Sequence, residues 1–167
     1  PESRLSLLAE AMDAAVATVF RQTAMNRFEE LAHTARRNEG ELSVERIGEL
    51  WGESQEELLG DSVKVTPGYL SWWSYVPHFM STPGYVYAYA YGQLLAMSVY
   101  RRYEEEGESF VPRYIELLSA GGSRAPEELA KIAGLDLTDP GFWDAGLALV
   151  EKNLERAEAA AREAGVV

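Results

Sequence analysis

The chain of 167 residues contains no cysteine. That excludes disulfides and thiolate metal sites, and it suits a cytoplasmic protein. It has only two histidines, His33 and His78, and no H-E-x-x-H, so it cannot by itself build a common zinc site. A P-loop, G-x-G-x-x-G and G-x-S-x-G are all missing, which removes the usual nucleotide-binding and serine-hydrolase signatures. No apolar run approaches the roughly 18 residues of a membrane span, and no basic segment leads into an apolar block as in a signal peptide. Positive charge is scarce: 15 Lys+Arg against 27 Asp+Glu give a net charge of -12. Such a surface repels phosphate backbones, so neither nucleic acid nor a membrane is expected as a partner.

What is present reads as helix. Leu5, Leu8, Met12, Val16, Val19, Met25, Phe28 and Leu31 recur at three- and four-residue steps apart from the one from Val19 to Met25, which predicts one long helix over 4–37. Ser3 is placed to cap it, Gly40 stands past its end, and Glu29, Glu30, Arg36 and Arg37 read as surface charges. Ser43 is expected to cap a second helix reaching Leu59, stopped by Gly60-Asp61. Pro67-Gly68 is turn chemistry, 69–75 a short aromatic helical segment, and His78–Thr82, between Pro77 and Pro83, a loop. Further helices are expected over 83–106, 109–119 and 126–133, with glycines after each, and from Asp139-Pro140 to about Ala164. The last carries an apolar stripe through Leu147, Val150, Leu154 and Ala157. The fold class is therefore all-α and multi-helix, with no internal repeat and no evident domain boundary, so 1–167 reads as a single helical domain or fragment.

The most unusual stretch is SYVPHFMSTPGYVYAYAYG, residues 74–92, with one histidine and five of the nine tyrosines. Tyr85, Tyr87, Tyr89 and Tyr91 occupy alternate positions, a strand-like spacing. The intervening Val86, Ala88 and Ala90 are also apolar, and the run continues into GQLLAMSVYRRYEEEG, so a helix opened by Thr82 and Pro83 is the better reading. On that helix Tyr85 and Tyr89 stack at i, i+4, and Tyr87 and Tyr91 form a second pair about 200° around the axis.

Three stretches in order, VFRQTAMNRFEELAH (19–33), VPHFMSTPGYVYAYAYG (76–92) and ELLSAGGSRAPEELAKIAGLDLTDPGF (116–142), make the chain resemble the C-terminal part of oligoendopeptidase F, among the thimet-oligopeptidase-like zinc metallopeptidases. The resemblance runs over nearly the whole chain, and the P-H-F followed by a tyrosine-rich helix is its most specific element. It implies the C-terminal portion of a helical zincin-type catalytic domain that admits short peptides. It also implies zinc in the intact enzyme, held by an H-E-x-x-H and a following glutamate, none of which is in this chain. The chain alone is then expected to be inactive, with the missing N-terminal part of the same enzyme as its partner.

What the resemblance carries over is a substrate-binding and oxyanion-stabilising wall: His78, Tyr85, Tyr89 and Tyr87. The chemistry is apt, because a phenol donates a hydrogen bond at neutral pH and preorganised donors stabilise charge developing on oxygen. At Gly84 the chain departs from the oligoendopeptidase F pattern, which has a second aromatic there; Gly-Tyr is nearer the thimet branch and leaves the tyrosine register open.

Plainer roles stand beside these. Tyr87 and Tyr91 are expected mainly to pack, as are Trp51, Trp72 and Trp73. Arg21-Gln22 reads as a buried polar pair, His33 as a helix-end or surface residue, and GGSRAPEEL as turn chemistry. A portion of a peptidase should expose an apolar face where the rest of the enzyme packs. The alternative is a stand-alone helical peptide-binding or oligomerising module without the metal site, able to form a homo-oligomer.

Overall fold

The computed structural model describes residues 2–166, and among these every regular element is helical. In chain order the helices are α1 (Glu2–Ala15), α2 (Gln22–Glu39), α3 (Val44–Leu59), α4 (His78–Ser81), α5 (Tyr87–Glu106), α6 (Val111–Ala120), α7 (Pro126–Ile132) and α8 (Pro140–Glu163). A nine-residue 3₁₀ segment, Pro67–Tyr75, lies between α3 and α4.

The long N-terminal helix is continuous but irregular. Val16–Arg21 forms a π turn between α1 and α2. This VATVFR stretch carries β-branched residues at three of its six positions, which crowd a regular α-helix. The Thr23 hydroxyl donates to the Val19 carbonyl at 2.7 Å, satisfying an acceptor of the wide turn. Ser3 lies inside α1 rather than capping it. Arg21 is exposed while Gln22 is half-buried, so they are not the buried pair expected.

Two sequence expectations fail between 78 and 87. His78–Ser81 is a helical turn, not a loop: Pro77 already sits in the α region, and the Thr82 N–H closes the turn on the His78 carbonyl at 3.0 Å. Thr82 therefore ends one element instead of opening the next. Gly84 has φ +76°, which breaks helical geometry, and α5 starts only at Tyr87. Elsewhere the punctuation is as expected. Ser43 accepts from the Arg46 N–H at 3.1 Å, and Asp139 from the Gly141 N–H at 2.9 Å.

The chain packs as two compact units, Val16–Tyr91 and α1 with the residues from Gly92 onward. The core of the first unit is aromatic. Trp51, 1 % exposed, meets Phe28 edge-on at 5.4 Å, and Phe79 lies 4.8 Å from Phe28. Tyr69 tilts against Trp51 at 5.8 Å, and Val86 is fully buried in the same cluster. Gly48 and Gly52 let the 3₁₀ segment approach α3: a Cβ at Gly52 would lie 2.8 Å from Leu70 Cδ2. On the outside Arg27 binds Glu57 and Glu30, whose carboxylates raise its pKa further. Trp73 packs against the core, whereas Trp72 is 55 % exposed, a correction to the core role expected for it. The three-residue period of the 3₁₀ segment lines up the Tyr69, Trp72 and Tyr75 rings, 5.2 and 6.3 Å apart, from the core-packed Tyr69 out to the exposed Tyr75.

In the second unit α1 packs on α8. A small core of Val99, Phe110 and Ala133 is filled out by Leu95, Leu117 and Leu135. Leu94 packs against Gly146, where a Cβ would meet Leu94 Cδ2 at 2.9 Å. Arg102 pairs with Glu106 at 3.0 Å, and Arg113 binds the other oxygen of Glu106 while its guanidinium covers the Phe110 ring at 5.1 Å. Glu106 is thus the structured end of the EEEG run, not merely a solvated charge. On α8 the expected stripe is half realised: Val150 is buried, whereas Leu154 is 46 % exposed.

Candidate functional site

The turn after Pro77 and the start of α5 bring three of the four candidate residues together. His78 opens α4, Tyr85 lies in the turn before α5, and Tyr89 is on the first turn of α5. The Nε2 of His78 is hydrogen-bonded to the Tyr89 hydroxyl at 2.8 Å, with the donor set by the imidazole tautomer. The Tyr85 ring lies parallel to His78, with 7° between planes and 6.4 Å between centroids. It meets Tyr89 edge-on at 5.7 Å, and the His78 and Tyr89 rings are 5.6 Å apart at 85°.

The cluster is half open. His78 and Tyr89 are partly buried, and Tyr85 is 48 % exposed. The His78–Tyr89 bond fixes one polar pair, while the Tyr85 hydroxyl makes no hydrogen bond among the described residues. Chemically this is one internally committed imidazole–phenol couple beside one phenol free to donate outward. Tyr87 lies outside the cluster and is 57 % exposed, so it does not pack as expected. His33 is exposed on α2 and lines a different recess of about 290 Å³, with Phe28, Trp73 and Phe79.

Sequence reasoning missed Glu29. It is 6 % exposed, and its Oε1 accepts from the Gly84 N–H at 2.7 Å, fifty-five positions along the chain. The signal was available: Glu29 follows Phe28 and stands four residues after Met25, on the face that α2 buries.

The residues present do not fit a zinc centre. Among the described residues no three His, Cys, Asp or Glu side chains gather closely enough to hold a metal ion. The one histidine in the cluster has its Nε2 committed to Tyr89.

A helical chain with a histidine–tyrosine cluster can be placed more closely by comparison. Residues 1–149 match Peptidase family M3. The chain belongs to that family. It is 32% identical over 157 residues to the oligopeptidase PepF of Bacillus subtilis, covering 94% of this chain and 23% of that protein. The plasmid-encoded oligoendopeptidase F of Lactococcus lactis subsp. cremoris is 31% identical, with 94% of this chain and 26% of the relative covered. The crystal structure of oligoendopeptidase-F from Enterococcus faecium superimposes with a TM-score of 0.86 at 28% identity, over 95% of this chain and 30% of that one. The chain thus spans about a quarter of the length of the curated relatives it matches. Among the described residues no helix is long and apolar enough to cross a membrane.

Proposed function

We propose that this chain is the C-terminal portion of a cytoplasmic metalloendopeptidase that hydrolyses short peptides, and that it supplies the substrate-facing wall of the cleft. The family match runs across both compact units, which supports reading 1–167 as one portion of a single catalytic domain. The zinc of the intact enzyme would be held by residues outside this chain, since those present do not suit it.

The observation that carries the reading is the His78–Tyr85–Tyr89 cluster. Tyr85 presents an uncommitted hydroxyl from a ring held on two sides, a neutral donor for a substrate carbonyl or for the oxyanion that develops as the amide is attacked. The Tyr89 phenol, oriented by its bond to His78, would bind substrate backbone in the same wall. Tyr87, exposed near the helix start, would touch the peptide at the margin. An exposed apolar stripe on α6 supports a larger assembly: Val111, Tyr114, Ile115 and Leu118 follow i, i+3, i+4, i+7 spacing and are all at least 40 % exposed.

The test is substitution in the full-length enzyme carrying these residues. Tyr85→Phe is expected to lower kcat by about 100-fold or more without moving the melting temperature. His78→Ala is expected to lower it further, because Tyr89 loses its partner. Peptide turnover unchanged in both variants would overturn the assignment.

A further inference from the structure

We infer that Glu29 is a positioning residue: its buried carboxylate straps the Gly84 backbone and so holds Tyr85 over His78. The functional meaning of that orientation rests on the peptidase reading above; the strap itself does not.

Glu29 sits where α2 calls for an apolar side chain, between Met25 and Ala35 on the buried face. Placing a carboxylate there is costly unless it is well used. Its use is specific. Oε1 takes the Gly84 N–H at 2.7 Å, and Oε2 is buried with no partner among the described residues. The carboxyl group therefore makes one hydrogen bond, to the residue directly before Tyr85.

The turn from Thr82 to Val86 explains why it is needed. At its start the Thr82 N–H is tied to the His78 carbonyl, and at its end Val86 is fully buried. Between them stands Gly84 at φ +76°, with nothing within 4 Å of the position a Cβ would take. A glycine in open space has wide conformational freedom. Rotation there swings the next side chain, and Tyr85 is too exposed to be fixed by burial. The Glu29 bond removes that freedom at the one point where the turn is otherwise loose.

The test begins with the unmodified full-length enzyme carrying these residues and the exchange rate of the Gly84 amide proton by NMR. A protected Gly84 amide is expected, slowed at least about tenfold relative to an unstructured glycine. Exchange at the free-chain rate overturns the inference without any variant. Glu29→Gln keeps an oxygen acceptor and should preserve both the protection and the His78 ring resonances, which feel the stacked Tyr85 ring. Glu29→Leu removes the acceptor, so the protection should vanish and the His78 resonances should move. If Glu29→Leu leaves the His78 resonances in place, Glu29 does not position Tyr85. If Glu29→Leu does not fold, the unmodified enzyme and Glu29→Gln still decide.

In the full-length enzyme Glu29→Leu should lower kcat by about 100-fold with KM within about twofold, and Glu29→Gln should restore most of it. A strap seen by NMR, with turnover indifferent to both Glu29→Leu and Tyr85→Phe, upholds the positioning and overturns the peptidase-wall assignment instead.

Discussion

The two units of this molecule are both helical, yet they cohere by different means. Val16–Tyr91 is held by rings: Phe28, Trp51, Tyr69 and Phe79 meet at centroid distances between 4.8 and 6.1 Å. The unit of α1 with the residues from Gly92 buries mostly smaller side chains, Leu94, Val99 and Val150 beside Phe110 and Phe142, and no fully enclosed tryptophan among the described residues. It relies on close approach at Gly146 and on the Arg102–Glu106–Arg113 arrangement. Rigid aromatic side chains carry much buried area on two torsions, so they fix orientation as well as supply cohesion. The candidate site belongs to the unit built that way, and its own members are rings packed on rings.

The strongest way to break this comparison is to remove one ring from each unit. Trp51→Ala should destabilise its unit by about 5 kcal/mol, and Phe110→Ala, whose neighbours are smaller, by about 3 kcal/mol. Urea unfolding measures both, and equal losses would contradict the contrast drawn here. A smaller effect sharpens the other side. Gly134 has φ +72°, and a Cβ there would lie 3.0 Å from Arg102 and 3.2 Å from Arg113. Gly134→Ala should therefore cost about 1–2 kcal/mol from backbone strain alone, more if the two arginines cannot yield. It should also alter the salt dependence of unfolding, which Trp51→Ala should not.

The smallest test treats the units alike. Ser43→Ala and Asp139→Ala each remove a helix cap, one in each unit, and each should cost about 1 kcal/mol. Melting temperatures check this, and a large difference between them would mean that cohesion differs at helix ends as well as in the cores.

Much of the fold was legible because its punctuation is local. Ser43, Gly60, Gly107, Gly121 and Asp139-Pro140 bound helices where glycine, proline and capping chemistry place them. The errors came where local signals compete. Thr82-Pro83 looks like a helix start, but Thr82 is spent closing the preceding turn and Gly84 postpones the helix to Tyr87. The π turn was passed over although the spacing marks it: the apolar positions step by six from Val19 to Met25, across the end of the Val16–Arg21 segment. At the site, His78, Tyr85 and Tyr89 were legible as a group from the motif. Tyr87 separates from them because it stands two residues, about 200° of helical turn, from Tyr89. Glu29, read as a surface charge, betrays its burial by its place on the apolar face beside Met25 and Phe28, but its partner was not legible, because that is a backbone N–H fifty-five positions away and a main-chain group leaves no mark in a residue pattern.

Three of the four tryptophans, Trp51, Trp72 and Trp73, fall in the unit that carries the site, one fully enclosed and one more than half open to solvent. The intrinsic ultraviolet emission of the protein is consequently dominated by that unit, whereas its far-ultraviolet ellipticity is shared by both. Denaturation followed in the two signals at once would show, with no label attached, whether the ring-built half and the ion-paired half let go together or in turn.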